Sequence, residues 1–500
     1  MNPDPRDNEL FAGADPKDQT LQFPIPERSR AVHSYCLGAS GVGKSKMMLD
    51  WVLQDIVAGR GCAVIDPKGD LIFDILAALS DIDEQWWPGI TDRLVLIDPS
   101  DPAHSASFNP LQVADGTTPA RQRQEVFSIF RRIWGLDGTR APRMDLVLRR
   151  TIHLLMESGL TIADMPRVLV DGDLRARLLT QTQDPNLISF WLHEFPEAGS
   201  ARQQWTAPIL TRIGSFLDDP SVREMMGRTR SSVNFRTLMD RGGILLGNLA
   251  KGRVGEETSH LLGGFLMAKL QLAAESRQSI WPPERRRRFY VYVDEFQNYQ
   301  TSSLPELLAE ARGYGLSMIM AHQNLAQIDS RLREAVMGNA RIRACFRVSY
   351  EDSELMTREM FRIRGDRVKE RELMWLKLGK IPLPIGFNYK YFSASEEARQ
   401  NRAALHALPD RRFWLHLADS DSIVELRTID IPRFDRRRAE ERIARFKDGL
   451  AGSARALPPP QQSSLPSVSN LPGTPPPLPA LDGLYHWSPP RRDRRPPMIR

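Results

Sequence analysis

Short apolar runs alternate with segments of helical periodicity over much of the chain. Largely apolar runs at residues 34–37, 62–65 and 93–97 are typical of strands buried on both faces of a sheet. Between the first two runs, apolar side chains recur at helical spacing from Met47 to Ile56, which predicts a helix. Strands that alternate with helices in this way predict an α/β fold with a mostly parallel sheet and helices on both of its faces.

The pattern changes between about residues 119 and 241. Apolar positions there have helical spacing and no continuous run of strand type occurs, so we predict an all-α domain inserted into the α/β core. The strand pattern then returns, with a long helix at about 256–275. Further strands are predicted at residues 243–247, 290–293, 316–321, 342–349, 413–418 and 423–427.

These patterns divide the chain into five segments. We expect a polar N-terminal segment (1–30), the first part of the α/β domain (31–115), the all-α insertion (116–241), the second part of the α/β domain (242–435), and a C-terminal helix with a basic tail (436–500). Thirteen of the last fifty residues are proline, so we expect disorder from about residue 451. An apolar island at 481–487 suits a docking peptide for a partner and a tail without function equally well.

A complete phosphate-loop motif follows the first apolar run and leads into the predicted helix. The motif G-x-x-x-x-G-K-[ST] is formed by Gly38, Ala39, Ser40, Gly41, Val42, Gly43, Lys44 and Ser45. In such a loop the backbone N–H groups and the lysine bind nucleotide phosphates, and the hydroxyl group of Ser45 binds Mg²⁺. The order of strand, loop and helix makes a chance glycine-rich turn the weaker interpretation.

A predicted strand that ends on two acids supplies the other half of a hydrolytic site. Residues 290–293 lead directly to Asp294 and Glu295, and Asp294 comes 250 positions after Lys44. Asp294 is suited to hold a metal ion together with Ser45, and Glu295 is suited to polarise an attacking water. With the phosphate loop, they predict an ATPase that uses ATP and Mg²⁺. A solvated strand end is the alternative for the two acids.

Two polar side chains at the ends of the strand 316–321 bear on the same chemistry. Gln323 follows this strand, where it is suited to sense the γ-phosphate or to orient the attacking water; an amide bound to the backbone is the alternative. Arg312 precedes the strand. Two interpretations of Arg312 are equally good. It is either an arginine finger that reaches the ATP of a neighbouring subunit, or a helix-end arginine that binds carbonyl groups.

Two other polar segments have plainer interpretations. Asp70 is placed to cap the helix that we expect to begin at Leu71. The basic run at residues 285–288 suits a solvated loop better than a nucleic-acid contact.

Composition and charge narrow the class of protein. The net charge of +6 permits a polyanionic partner without requiring one. Three cysteines are too few for a disulfide framework, which indicates reduced thiols in a cytoplasmic protein, and the nine histidines show no metal-ligand spacing. The most apolar stretch, 261–274, contains Lys269 and falls short of the roughly 20 residues that span a bilayer.

Taken together, the motifs resemble those of the coupling-protein ATPases of type IV secretion and conjugation (TraG/TraD-like), within the HerA/FtsK group of hexameric DNA translocases. The resemblance covers roughly residues 30–435 and includes the phosphate loop, the helical insertion, Asp294-Glu295 and Ala321-His322-Gln323. Its more specific parts are the helical insertion and the turn Asp66-Pro67-Lys68-Gly69-Asp70. Residues 108–111, 311–316 and Asn339 fit the same pattern.

The resemblance implies a RecA-like P-loop ATPase domain interrupted by an all-α domain, assembled as a homo-hexameric ring around a DNA channel. It implies an ATP-driven translocase that pumps DNA during conjugative transfer, with Arg312 at the position of an arginine finger and Gln323 at that of the sensor. The all-α domain would recognise a relaxase or other DNA-processing proteins. Asp66 and Lys68 are explained about equally well as groups near the nucleotide and as parts of a simple tight turn.

One feature departs from many coupling proteins, which carry amino-terminal membrane helices that this sequence does not show. We therefore expect a cytoplasmic protein, recruited to the inner membrane through a membrane-associated secretion component. Two alternatives stay open. One is a soluble HerA-type translocase in DNA end processing or defence, and the other is a nucleotide-gated adaptor without motor activity.

Overall fold

The structure, a computed structural model, describes residues 9–450 apart from 137–140, 197–198, 302, 364, 366, 379–380, 421 and 432–433. The proline-rich segment, with its predicted disorder and its apolar island at 481–487, lies outside the described residues.

The described residues form thirteen strands and nineteen α-helices. The strands are β1 (Leu10–Ala14), β2 (Gln22–Ile25), β3 (His33–Leu37), β4 (Gly61–Asp66), β5 (Leu94–Ile97), β6 (Ile244–Asn248), β7 (Phe289–Val293), β8 (Leu316–His322), β9 (Ala340–Cys345), β10 (Val368–Leu378), β11 (Ile381–Tyr391), β12 (Arg412–Leu417) and β13 (Ser422–Arg427). The helices are α1 (Glu27–Arg30), α2 (Lys44–Val57), α3 (Asp70–Ser80), α4 (Trp87–Thr91), α5 (Pro119–Ile133), α6 (Pro142–Glu157), α7 (Met165–Val170), α8 (Gly172–Leu179), α9 (Pro185–Ser189), α10 (Gly199–Leu217), α11 (Pro220–Met226), α12 (Phe235–Arg241), α13 (Lys251–Val254), α14 (Glu256–Ser276), α15 (Leu304–Glu310), α16 (Ser330–Asn339), α17 (Tyr350–Met360), α18 (Ala394–His406) and α19 (Arg436–Asp448).

Eleven of these strands form one sheet in the order β2-β1-β13-β12-β9-β3-β8-β7-β4-β6-β5. The seven strands from β9 to β5 are all parallel to one another. The remaining four strands extend the sheet in antiparallel pairs on one side. The predicted α/β class with a mostly parallel sheet is therefore confirmed.

Helices cover both faces of the sheet. Because successive side chains of a strand point to opposite faces, they enter different apolar layers. Tyr35 and Leu37 of β3 belong to the layer that contains Phe130 of α5 and Phe265 of α14. Cys36, between them, belongs to the opposite layer, which contains side chains of α2, α3 and α19. Burial on both faces explains why the parallel strands appear in the sequence as continuous apolar runs.

The described part of the connection from β5 to β6 contains helices α5–α12 and no strand. It leaves the sheet at the carboxyl end of β5 and returns at the amino end of β6, the neighbouring parallel strand. Its first helix, α5, packs on α14, and Gly264 allows the close approach. A Cβ atom on Gly264 would lie 2.9 Å from Cγ2 of Ile129. This inserted region is therefore fastened to the α/β core through α14.

Two pairs of strands are additional to the predicted ones. The N-terminal segment, which we expect to be polar, contributes β1 and β2, and Ala14 of β1 lies opposite Arg427 of β13. The other pair is the hairpin β10–β11, which forms a separate two-stranded sheet in which Val368 lies opposite Tyr391.

Candidate active site

Four neighbouring strands carry the predicted site residues other than Arg312 to one edge of the sheet. Strands β3, β8, β7 and β4 lie side by side and parallel, so their carboxyl ends meet at the same edge. The phosphate loop follows β3, Gln323 follows β8, and Asp294 and Glu295 follow β7. Ligands of open α/β sheets bind at this edge.

The phosphate loop has the backbone conformation that its glycines make accessible. Gly41 and Gly43 have φ angles of +78° and +112°, in the region where side chains with a Cβ atom are strained. Gly38 is needed for space, since an added Cβ atom would lie 2.5 Å from Cβ of Phe346. The loop is held on the sheet by Ala39 N–H, which donates to the carbonyl oxygen of Arg347 at 2.9 Å.

Lys44 is the first residue of α2 and its ammonium group is buried in the loop. Nζ donates to the carbonyl oxygens of Gly38 and Ala39, at 2.5 and 2.8 Å. Burial lowers the pKa of Lys44 despite the nearby carboxyl groups of Asp294 and Glu295. A positive charge at the amino terminus of a helix, among backbone N–H groups, forms an anion site of the kind that phosphates occupy.

Asp294 and Ser45 form an oxygen-rich position beside the loop. Oγ of Ser45 lies 3.4 Å from Oδ2 of Asp294, and Oδ1 of Asp294 accepts a hydrogen bond from the N–H of Glu295 at 3.0 Å. Burial, together with the charges of Asp66 and Glu295, raises the pKa of Asp294 to about 6. A hydroxyl and a buried carboxylate fit Mg²⁺, which prefers hard oxygen ligands and offsets the cost of the buried charge.

Glu295 is held by three hydrogen-bond donors. Its Oε1 atom accepts from Nζ of Lys68 at 2.6 Å and from Nε2 of Gln323 at 2.5 Å, and its Oε2 atom accepts from Nε2 of Gln297 at 2.9 Å. Burial raises the pKa of Glu295, but the three donors outweigh burial and keep this pKa below its usual range. The residue also has a left-handed backbone, with φ of 47°. Such strain is typical of functional sites.

Asp66, rather than the predicted Asp70, caps the helix that follows β4. The helix α3 begins at Asp70, one residue before the expected start, and no side chain caps it at Gly69. Instead, Oδ2 of Asp66 accepts from the N–H groups of Leu71 and Ile72, and Oδ1 accepts from the N–H of Lys68. The prediction for Asp70 was wrong because the turn brings the earlier carboxylate back onto the helix end. Asp66 therefore fixes the turn that carries Lys68.

Arg312 is separated from the other predicted site residues. It lies before β8 and Gln323 lies after it, and the seven residues of this strand put roughly 20 Å between its ends. Arg312 is exposed, and its carbonyl oxygen accepts from the Arg288 side chain. Arg286, Arg287 and Arg288 of the basic run all donate to backbone carbonyl oxygens, as structural arginines do.

Two residues at the site were not predicted. Gln297 lies two positions after Glu295, so a polar side chain next to the acidic pair was a usable signal. Arg411 was not detectable from the sequence, since it is remote from the phosphate loop along the chain. Its N–H donates to the carbonyl oxygen of Val42 at 2.7 Å, and its backbone is left-handed, with φ of 68°.

Comparisons with known proteins agree with this arrangement. Residues 288–358 match a family model described as the TraM recognition site of TraD and TraG. The matched segment contains Asp294, Glu295, Arg312 and Gln323, and it confirms the resemblance to coupling proteins that the motifs predict. A comparison of the sequence with curated proteins found no match. No helix in the described ranges is long and apolar enough to cross a membrane.

Solved structures share the fold at low sequence identity. The plasmid coupling protein TrwB in complex with the GTP analogue GDPNP is 16% identical, with a TM-score of 0.55 over 86% of this chain and 92% of that one. TrwB in complex with ADP and Mg²⁺ has the same identity and coverage and a TM-score of 0.54. VirB4 of Thermoanaerobacter pseudethanolicus is 12% identical, with a TM-score of 0.54 over 85% of this chain and 96% of that one. The RecA-like fold is thereby confirmed.

Proposed function

We propose that this chain is an Mg²⁺-dependent ATPase of the coupling-protein type, which couples ATP hydrolysis to the movement of DNA in conjugative transfer. The observation that supports it is the meeting of Lys44, Asp294, Glu295 and Gln323 at one edge of the sheet, although the sequence spreads them over 280 residues. The match over residues 288–358 and the complexes of TrwB with nucleotides support the same proposal.

Each residue has a role that its surroundings suit. Lys44 and the N–H groups of residues 38–45 bind the β- and γ-phosphates, where the lysine neutralises charge that grows in the transition state. Ser45 and Asp294 would hold Mg²⁺, which would supply further charge neutralisation. Glu295 accepts a proton from the attacking water, and Gln323, already hydrogen-bonded to Glu295, orients that water.

The assembly belongs to the proposal as well. Arg312 cannot reach the nucleotide of its own subunit across the length of β8, so its action as an arginine finger requires a neighbouring subunit, as in a homo-hexameric ring. DNA, a relaxase or other DNA-processing proteins, and a membrane-associated secretion component are the proposed partners of a cytoplasmic protein. The division into an α/β domain and an all-α insertion at residues 116–241 stays a prediction in its boundaries.

The first test is ATP hydrolysis by the purified full chain, measured against protein concentration with and without single- and double-stranded DNA at two salt concentrations. A ring-shaped motor predicts turnover that rises steeply with protein concentration, is stimulated by DNA, and loses this stimulation at the higher salt. Hydrolysis that ignores DNA would favour a nucleotide-gated adaptor whose inserted domain binds a protein partner.

Variants of two residues test the site itself. We expect Lys44→Ala and Glu295→Ala each to reduce turnover by roughly a hundredfold or more, because charge neutralisation and general base catalysis are each worth that much. Glu295→Ala should still bind ATP, which equilibrium binding of a fluorescent ATP analogue measures. Lys46→Ala is the control, since Lys46 is exposed on the same helix and pairs with Asp74. Full turnover by either site variant would contradict the assignment.

A further inference from the structure

The carboxylate of Glu295 is occupied in a way that does not suit a general base. A base must offer the water an oxygen lone pair that is basic enough to take its proton, and each hydrogen bond that the carboxylate accepts lowers that basicity. Here one oxygen accepts from Lys68 and Gln323, and the other accepts from Gln297. Gln323 and Gln297 are neutral amides, whereas Lys68 forms an ion pair with Glu295 at 2.6 Å. Of these three donors, Lys68 is the one that binds the carboxylate most tightly.

Lys68 can leave Glu295 without a change in the backbone. Asp66 fixes the turn, since its carboxylate accepts from the N–H groups of Lys68 and Leu71. Beyond this fixed point the lysine side chain is 47% exposed, whereas that of Glu295 is 5% exposed. A long flexible stem that carries a hydrated ammonium group can exchange one anion for another that arrives from solvent.

The turn that carries Lys68 lies against a second basic segment. The N–H of Lys251 donates to the carbonyl oxygen of Pro67 at 2.9 Å, and a Cβ atom on Gly69 would lie 3.0 Å from Cβ of Ala250. The short helix α13 follows, and Arg253 on it is exposed and donates to Oγ of Ser100 at 3.1 Å. The backbone of Lys251 therefore lies against the turn that carries Lys68, at the carboxyl ends of β4 and β6. The side chain of Lys251 pairs with the exposed Glu256 at 3.2 Å, so a phosphate that binds Lys251 would replace Glu256 as its partner.

We propose that Lys68 is a positioning residue that occupies Glu295 until a phosphate of bound nucleic acid, gripped by Lys251 and Arg253, draws the ammonium group of Lys68 away. Hydrolysis is slow while the ion pair holds and faster once the carboxylate is released. The inference rests on the proposed ATPase function and adds to it a direct physical link between the DNA and the catalytic base.

The test compares Lys68→Met with Lys46→Met in the full chain. Lys46 is a matched control, since it is also 47% exposed and forms a 2.6 Å ion pair, with Asp74 instead of Glu295. We expect Lys68→Met to raise the DNA-free kcat by roughly fivefold, the upper end for breaking one half-exposed ion pair. The KM for ATP should stay unchanged, and the ratio of DNA-stimulated to DNA-free kcat should fall by the same factor. Lys68→Arg should behave as the wild type, because it keeps the ion pair.

A second pair of substitutions removes the proposed phosphate contacts of Lys251 and Arg253 and leaves the ion pair between Lys68 and Glu295 intact. The double variant Lys251→Met and Arg253→Met should keep the DNA-free kcat of the wild type and lose its stimulation by DNA. Its affinity for a fluorescent DNA duplex, measured by anisotropy at two salt concentrations, should fall together with the salt dependence of binding. Stimulation that survives in the double variant would overturn the proposed grip.

The remaining outcomes are equally decisive. A DNA-free kcat of Lys68→Met that drops toward that of Glu295→Ala would make Lys68 part of the chemistry and overturn the proposal. A kcat and a DNA stimulation equal to those of Lys46→Met would show that the ion pair controls nothing. A wild type that hydrolyses ATP without any response to DNA would contradict the proposed function and the phosphate grip. A raised kcat of Lys68→Met would then still support the hold on Glu295. If Lys68→Met fails to melt cooperatively, Lys68→Gln replaces it in the same comparison.

Discussion

At the residue scale, burial and hydrogen bonding decide how each ionisable side chain behaves. Asp294 and Glu295 are neighbours in the chain, yet their pKa values shift in opposite directions. Burial and the charge of Asp66 raise the pKa of Asp294, whereas donors outweigh burial at Glu295. The difference follows from their partners rather than from residue type. A sequence motif therefore names the two acids without giving their protonation behaviour.

Lys269 illustrates the same point away from the site. It is 4% exposed in α14, and its ammonium group donates to the carbonyl oxygen of Gln112. Burial lowers the pKa of Lys269 to about 7. Because the unfolded chain binds this proton more tightly than the folded chain, stability rises with pH between about 7 and the ordinary lysine pKa of about 10.4. Below pH 7 the folded protein carries the full cost of the buried charge.

Lys269→Met removes that cost, so its effect on stability should depend on pH. Relative to the wild type, we expect the free energy of unfolding of Lys269→Met to be higher at pH 6.5 than at pH 9.5 by roughly 3 kcal/mol. Denaturant unfolding of both proteins at the two pH values measures the difference. A difference that stays constant with pH would mean that Lys269 has an ordinary pKa in the folded protein.

At the scale of elements, the hydrophobic pattern predicts the strands that are buried on both faces. The predicted strands at 62–65, 290–293 and 316–321 fall within β4, β7 and β8. The strands β1 and β2 lie at one side of the sheet, and the hairpin β10–β11 is separate from it. The strand β1 is the short apolar run LFAGA, mostly buried, which the pattern missed, whereas the edge strand β2 has the mixed sequence QFPI with three of its four positions partly buried or exposed. Edge strands of this kind leave a weak signal in the sequence.

The site likewise contains residues that the sequence predicts and contacts that it does not. The phosphate loop, the two acids and Gln323 belong to local motifs, and a motif locates them at strand ends. The contact between Lys68 and Glu295 depends on which strands are neighbours, and β4 is adjacent to β7 only in the folded sheet. Strand order is a property of long-range packing, which periodicity in one sequence does not encode.

Two helical glycines offer a test of how tightly the elements pack. A Cβ atom on Gly263 of α14 would lie 2.1 Å from the ring of Tyr299, which follows the acidic pair, whereas one on Gly214 of α10 would meet no atom within 4 Å. We expect Gly263→Ala to destabilise the protein by about 2 kcal/mol through overpacking. Gly214→Ala should stabilise it by about 0.5–1 kcal/mol through its helix propensity. Melting temperatures measure both, and equal shifts would contradict the predicted contact.

At the scale of the whole molecule, the fold brings Lys44, Asp294, Glu295 and Gln323 to one edge of the sheet. Arg312 lies at the other end of β8, on the edge of the sheet opposite Lys44 and Glu295. A subunit that needs the guanidinium group of Arg312 from a neighbouring subunit hydrolyses ATP only in the assembly. If Arg312 acts as the proposed finger, the proposed ring is a requirement of the chemistry and not an accessory to it.

Mixing experiments test this requirement. Alone, Arg312→Ala and Glu295→Ala should each be nearly inactive. In mixed rings, an Arg312→Ala subunit keeps its own Glu295 and receives Arg312 from a neighbouring Glu295→Ala subunit, so ATPase activity should partly return. Arg285→Ala is the control, because Arg285 is exposed in the basic run before β7. Absence of recovery at every mixing ratio would argue against a finger that acts between subunits.

The strand order has a consequence for the synthesis of the protein. Of the strands that precede residue 244, only β1 and β2 are neighbours in the sheet, since β3 lies between β8 and β9, and β4 lies between β6 and β7. A nascent chain of that length therefore holds its first parallel strands without partners, exposed to aggregation and to chaperones. The proposed binding of nucleotide must wait until β8 and β9 emerge from the ribosome. Chains released before about residue 345 should bind no ATP, although their phosphate loop is complete.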